Sequence, residues 1–217
     1  MGKRNSLMIY NLYPETVGAY TLHFDDLNGD VKKVKPEEDL PEFGPDCIMR
    51  AHYFRSGKRL QTEHIPTQIR PKRRKGRLPD YAGHALAQVC SQAFRDVVEQ
   101  HDPGLHQFVP VEIVWKDGSV YEVPYYWLIP GVRLKSLHPT LSNPPLDKHR
   151  HYDGFTSFGK PGPGPVQPVF QAEIVKDHDF FCEYGLTGYL YASEKLKDAL
   201  TTANLTGVGF GAGGPLV

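Results

Sequence analysis

The chain has 217 residues, enough for one sizeable domain or two small ones with a real core. Its 25 Lys+Arg balance 25 Asp+Glu, so the whole molecule exerts no pull on nucleic acid or an anionic membrane. Cys47, Cys90 and Cys182 are too few and scattered for a disulfide framework or a zinc site, and no apolar run reaches signal-peptide or membrane-spanning length; a cytoplasmic protein is the expectation.

Leu7–Tyr13 (LMIYNLY) predicts a buried strand, and Gly18–Phe24 a second one ahead of the Asn28-Gly29 turn signal. From Val31 to Cys47 acidic residues interleave with Pro36, Pro41 and Pro45, which excludes a central strand or a long helix and predicts a surface loop. Ile48–Phe54 reads as a short strand. Arg70–Arg77 then carries six positive charges in eight residues. It is a candidate nucleic-acid contact, but no aromatic residue is interleaved, and a solvated loop opposite in charge to the acidic one is the favoured reading.

Asp80 with Ala82, Ala85, Leu86, Val89 and Cys90 predicts a helix, weakened by Gly83. Ser91 is a second cap, Phe94, Val97 and Val98 form an apolar stripe, and Asp102-Pro103-Gly104 stops the helix. Phe108–Trp115 and Val120–Ile129 flank Asp117-Gly118, the strongest hairpin signal in the chain, with Pro110 and Pro124 marking edges or bulges. The Pro-rich stretch 130–168 is an irregular connection of unusual length, and so a functional loop, a linker or a contact surface. Phe170–Val175 and Gly188–Tyr191 read as strands. A Ser193-capped helix over Glu194–Ala203 and a short strand at Phe210 follow, and the tail GAGGPLV is expected to fray.

Ser91–Phe108 and Ser193–Phe210 share one design. Aligning the serines puts Phe94 on Leu196, Asp96 on Asp198 and Phe108 on Phe210, with Gly104 and Gly207 one position apart. Duplication is one explanation. Convergence is the other, because caps, stripes and glycine stops recur wherever a helix leads into a strand.

Candidate chemistry is sparse. On an extended segment His149 and His151 point the same way and form a candidate metal pair with Asp153, but no second cluster completes the set. No nucleophile elbow and no phosphate-binding loop is present, and Gly207-Val208-Gly209 lacks the strand and helix that a dinucleotide site needs.

The stretch LPDYAGHALAQVCSQAFRDVVEQHDPGLHQFVPVEI resembles the central motif of a family of bacterial polymorphic-toxin immunity proteins, and GYLYASEKLKDALTTANLTGVGF resembles its C-terminal motif. The resemblance runs from Leu78 to Phe210 and leaves residues 1–77 and the Pro-rich connection unmatched; Lys195 stands where the family usually has Arg. It implies a non-enzymatic, cytoplasmic inhibitor of a cognate toxin of the type VI or Rhs-type effectors, with no cofactor, membrane or nucleic acid involved. The fold it and the periodicity imply is α+β, with mixed or antiparallel sheets, hairpins and two capped helices in helix–strand units. Residues 1–77 would form an N-terminal β-rich region and 78–217 the family region. The toxin-facing candidates are the acidic residues Asp25, Asp26, Glu37, Glu38 and Asp39, joined by His149, His151 and Asp153. The alternatives are a metal-dependent hydrolase using His149 and His151, and a nucleic-acid-binding module using Arg70–Arg77.

Overall fold

The computed structural model describes residues 7–15, 23–38, 50–84, 87–143, 146–152, 155–158, 167–184 and 189–217, and they form an α+β fold. The strands are β1 (Met8–Pro14), β2 (Phe24–Asp26), β3 (Gln68–Pro71), β4 (Tyr81–Gly83), β5 (Gln88–Ser91), β6 (Gln107–Ile113), β7 (Tyr125–Ile129), β8 (Arg133–Leu134), β9 (Leu146–Tyr152), β10 (Phe155–Phe158), β11 (Phe180–Glu183), β12 (Leu190–Ser193) and β13 (Val208–Pro215). The helices are α1 (Gln92–His101), α2 (Ala172–Val175) and α3 (Glu194–Thr202). Among the described residues one sheet has the order β2-β3-β6-β7-β5-β4 and another β13-β1-β12-β11-β8, while β9 and β10 form a separate hairpin.

The two units suspected from the sequence have the same geometry. Ser91 and Ser193 both cap a helix, their side chains accepting from Phe94 N–H and Leu196 N–H. The strand before each cap pairs antiparallel with a preceding strand, β5 with β4 and β12 with β11. In the first unit β6 and β5 both pair with β7. In the second, β13 and β12 both pair with β1, so the N-terminal strand takes the place that β7 has in the first. Register agrees as well: Phe108 lies opposite Leu128, and Phe210 opposite Leu12.

A shared core lies between the units and is built from equivalent side chains: Leu12 with Leu128, Tyr81 with Phe180, Cys90 with Ala192, Phe94 with Leu196, and Val98 with Leu200. Fully burying one such large apolar side chain contributes about 1.5–3 kcal/mol, so this layer dominates the association of the two halves. The opposite face of the β7 sheet buries Val89, Trp127 and Ile129 against Phe54, Leu60, Ile65 and Ile69. That of the β1 sheet buries Ile9, Phe181 and Tyr191 against Phe170 and Leu137.

Several expectations are corrected. The helix foreseen over Asp80–Cys90 is the β4–β5 hairpin. Val89 and Cys90 face different cores and are both fully buried, so a strand buried on both faces lost its alternation and imitated helical spacing. Where Ile48–Phe54 reads as a strand, Arg50–Arg55 form a 3-10 helix, and residues 48 and 49 lie outside the described residues. Phe170–Val175 is a bridge at Phe170 followed by one turn of helix, α2. The long connection is not wholly irregular, since it carries β8 and the β9–β10 hairpin. The strand β11 was not foreseen. The tail does not fray: β13 runs to Pro215 along β1, with the Tyr13 ring against Gly209 and Gly211, where a Cβ would come within 2.5 and 3.3 Å of it.

Candidate functional site

The acidic candidates are paired with this chain's own bases. Asp25 on β2 meets Lys72 at 2.7 Å, and Asp26 meets His84 at 3.1 Å. Glu38 meets Lys58 at 2.7 Å, which holds its carboxyl below the usual range, and Glu37 lies 3.8 Å from Arg59. The basic run is consumed the same way in part: Lys75 reaches Asp117 at 3.2 Å, while hydrogen bonds from Ser119 and then Lys75 hold Asp117 near a pKa of about 2. Apart from Asp26–His84, whose imidazole is buried, these pairs are exposed, weakened by solvent and easily exchanged for a partner's charges. Asp39 and Asp153 lie outside the described residues. His149 and His151 stand two positions apart on β9, and their side chains lie outside what is described. Among the described residues no three His, Cys, Asp or Glu side chains converge on a point that suits a metal.

A polar network, buried at Asp102 and His106 and partly exposed at Asp80, ties the two units together. Ser91 Oγ donates to Asp80 (2.8 Å), and Ser193 Oγ donates to the equivalent Asp179. Each aspartate also binds the far end of the other unit's helix region: Asp80 accepts from Thr206 N–H (2.9 Å), and Asp179 pairs with His101 (3.1 Å). Asp102, 2 % exposed, accepts from Asp179 N–H (3.1 Å), Phe180 N–H (2.6 Å) and His106 Nε2 (3.2 Å). Gly131 N–H donates to His106 Nδ1, so Nε2 is the ring nitrogen that donates to Asp102. Burial raises the Asp102 carboxyl, but the hydrogen bonds from His106, Asp179 and Phe180 outweigh it and hold the pKa below its ordinary value. The same balance, with Thr206 and Ser91 as donors, lowers Asp80.

Serine, aspartate and histidine meet here in an order that suits structure rather than nucleophilic attack. A catalytic serine needs the imidazole against its oxygen, whereas Asp179 stands between Ser193 and His101, and Ser193 Oγ is occupied as a helix cap. The thiols of Cys90 and Cys182 lie in the central core, and burial pushes both up, Cys182 to about 12, far from a reactive thiolate.

The remaining feature is a groove beside α1. Arg95 lies over the ring of Tyr126 on β7 at 4.8 Å and that of Phe108 on β6 at 5.8 Å. Tyr126 Oη donates to Gln92 Oε1 (2.5 Å), and Gln92 in turn holds Asp96 (2.5 Å). Glu99 accepts from Gly104 N–H (3.2 Å). Both acids nearest Arg95 on the helix are therefore engaged elsewhere, and Arg95 Nε is buried with no hydrogen-bond partner among the described residues. The groove, about 380 Å³, is lined by Arg59, Arg95, Glu99, Gln107, Phe108 and Pro110 among others, and at Pro110 it meets a second, of about 450 Å³, beside Glu112, Pro124 and Tyr126. Pro110 has no N–H and lies beyond the short β3–β6 pairing, so it blunts an open sheet edge, as its sequence position foretold. The second unit repeats the motif with Lys197 over Tyr10 at 4.6 Å, but Lys197 also pairs with Asp198 at 3.3 Å.

Sequence reasoning missed Arg95. No local pattern marks it, because Phe108 and Tyr126 come to it only through strand register.

Residues 63–214 match the model of a family described as an immunity protein family, Imm11. Among curated proteins none matches the chain.

Proposed function

From the premise that the chain belongs to the Imm11 immunity protein family, we propose that it binds one cognate antibacterial toxin and neutralises it by stoichiometric inhibition, without catalysing a reaction. The carrying observation is the family match, which spans both capped helices with the strands that flank them in sequence and most of the core between them. A scaffold braced in this way suits an inhibitor, because little ordering is left to occur on binding. The toxin is a secreted effector of the type VI or Rhs kind, met in the bacterial cytoplasm. Asp25, Asp26, Glu37, Glu38 and Asp39, with His149, His151 and Asp153, form the proposed toxin-facing set, and their weak ion pairs release charge to a basic partner.

The test is co-expression with the toxin domain encoded by the adjacent reading frame. Lethality of the toxin alone, relieved by this chain, is the expected result, with a complex of fixed stoichiometry on gel filtration. A harmless neighbour, or lethality that persists, overturns the reading. Reversing the five acidic charges is expected to weaken protection.

A further inference from the structure

We propose that the groove at Arg95 is an anchoring site of the toxin-binding surface and that it receives an acidic side chain, Asp or Glu, presented by the toxin. This rests on the immunity reading and adds to it a place and a chemistry.

Three observations carry it. First, among the described residues no carboxylate pairs with Arg95: Asp96 is held by Gln92, Glu99 by Gly104 N–H, and Nε has no acceptor. With no carboxylate of its own, the guanidinium is free to form charge-assisted hydrogen bonds with an arriving one through its terminal nitrogens. Second, the guanidinium is already oriented. Stacked on Tyr126 and flanked by Phe108, it loses little freedom on pairing, and Arg and Tyr in a central, partly desolvated setting are the usual carriers of binding energy. Third, the equivalent site in the other unit is an internal control. Lys197 sits on Tyr10 in the same way but already has Asp198 beside it. Among the described residues Arg95 has no such acid beside it.

The charges around the groove agree with the choice. Arg59, weakly held by Glu37, is a second guanidinium on its wall, so two arginines stand against one lining carboxylate, Glu99, and favour a carboxylate there over a base. The Glu37–Arg59 pair also places the edge of the acidic loop beside the groove, which makes one continuous surface of the two. On it the toxin's bases meet the rim and an acid of the toxin meets Arg95.

The experiment uses the full chain and the toxin domain that it neutralises on co-expression. Arg95→Ala is expected to weaken the complex about 30-fold or more. Arg95→Lys is expected to recover part of that loss, because the ammonium keeps the charge but not the planar fork. Lys197→Ala, the equivalent change, is expected to leave affinity near that of the parent. Thermal melts of each variant separate binding from folding; if Arg95→Ala does not fold, Arg95→Gln, which keeps the aliphatic stem without the charge, takes its place. In a final arm, single toxin Asp or Glu residues are changed to Lys against Arg95→Glu, and restored protection by one of them identifies the partner carboxylate. Parent protein that protects, with folded Arg95→Ala or Arg95→Gln that binds equally well, overturns the groove and leaves the immunity reading standing. Parent protein that fails to protect overturns that reading, and the groove with it. Loss of binding with no toxin carboxylate able to restore Arg95→Glu overturns the acidic occupant.

Discussion

The N–H of Phe180 donates to the carboxylate of Asp102 at 2.6 Å, joining the first residue of β11 to the residue that ends α1. Its mirror in the other half is Tyr81 N–H, which donates to Thr206 O at 3.2 Å just past α3. Each hairpin is thus tied at its start to the end of the other unit's helix, and the two halves brace each other.

Asp102→Ala removes the acceptor of Asp179 N–H, Phe180 N–H and His106 Nε2 in a buried place. Loss of stability of about 3 kcal/mol or more is expected, since buried donors left unpaired are expensive. Urea unfolding of parent and variant checks it; a change under about 1 kcal/mol contradicts the bracing role.

Acid should weaken the fold through the same groups. The Asp80 and Asp102 carboxyls are both held below their ordinary value of 3.8 in the folded chain. A depressed folded pKa means that the stabilisation is complete above the ordinary value and is lost as pH falls through the lower, folded one. Urea midpoints should therefore be steady from neutral pH down to about 5 and fall below about 4. In Asp102→Asn the acid-side fall should be shallower.

The two caps should behave alike. Ser91→Ala and Ser193→Ala each lose a helix cap and a hydrogen bond to an aspartate, a cost of about 1–2 kcal/mol each. Ser91→Ala combined with Asp80→Ala should cost less than the sum of the single changes, because they share one interaction.

The glycines that follow the two helices should differ. Both have positive φ, +71° at Gly104 and +78° at Gly207. A Cβ on Gly104 meets nothing within 4 Å, whereas one on Gly207 lies 2.4 Å from Tyr81 O. Gly104→Ala should cost about 1 kcal/mol from backbone strain alone, and Gly207→Ala clearly more. Equal losses in thermal melts would contradict this packing.

The family match starts at residue 63, but the second unit is incomplete without β1, which lies between β12 and β13. A fragment of residues 63–217 should lack a cooperative unfolding transition. Adding a synthetic peptide of residues 1–15 should restore part of it, read by circular dichroism or amide exchange. A fragment that folds as well as the full chain disproves the need for β1.

What the sequence determined by itself was local or repeated. The Ser91 and Ser193 caps, the Gly104 stop and the Asp117-Gly118 hairpin follow from hydrogen bonds and φ preferences within a few residues, and they were all legible. So were the pairing of Ser91–Phe108 with Ser193–Phe210 and the family it signals. The misread elements have a common cause, in that tertiary burial replaced the local pattern. The β4–β5 hairpin is apolar on both faces because a core lies on each side, and the glycine-rich tail is a strand because β1 and the Tyr13 ring lie against it.

Only the tertiary structure decided what β1 does, which aspartate meets which serine, and what surrounds Arg95. Those contacts join positions up to most of the chain's length apart, and register between distant strands selects them. Asp80 is close to Ser91 in sequence, yet the same carboxylate also holds Thr206, 126 residues away. Arg95 looked like any charge on a helix's wet face. Its guanidinium became distinctive when β6 and β7 set two aromatic rings beneath it and Gln92 and Gly104 engaged its neighbouring acids.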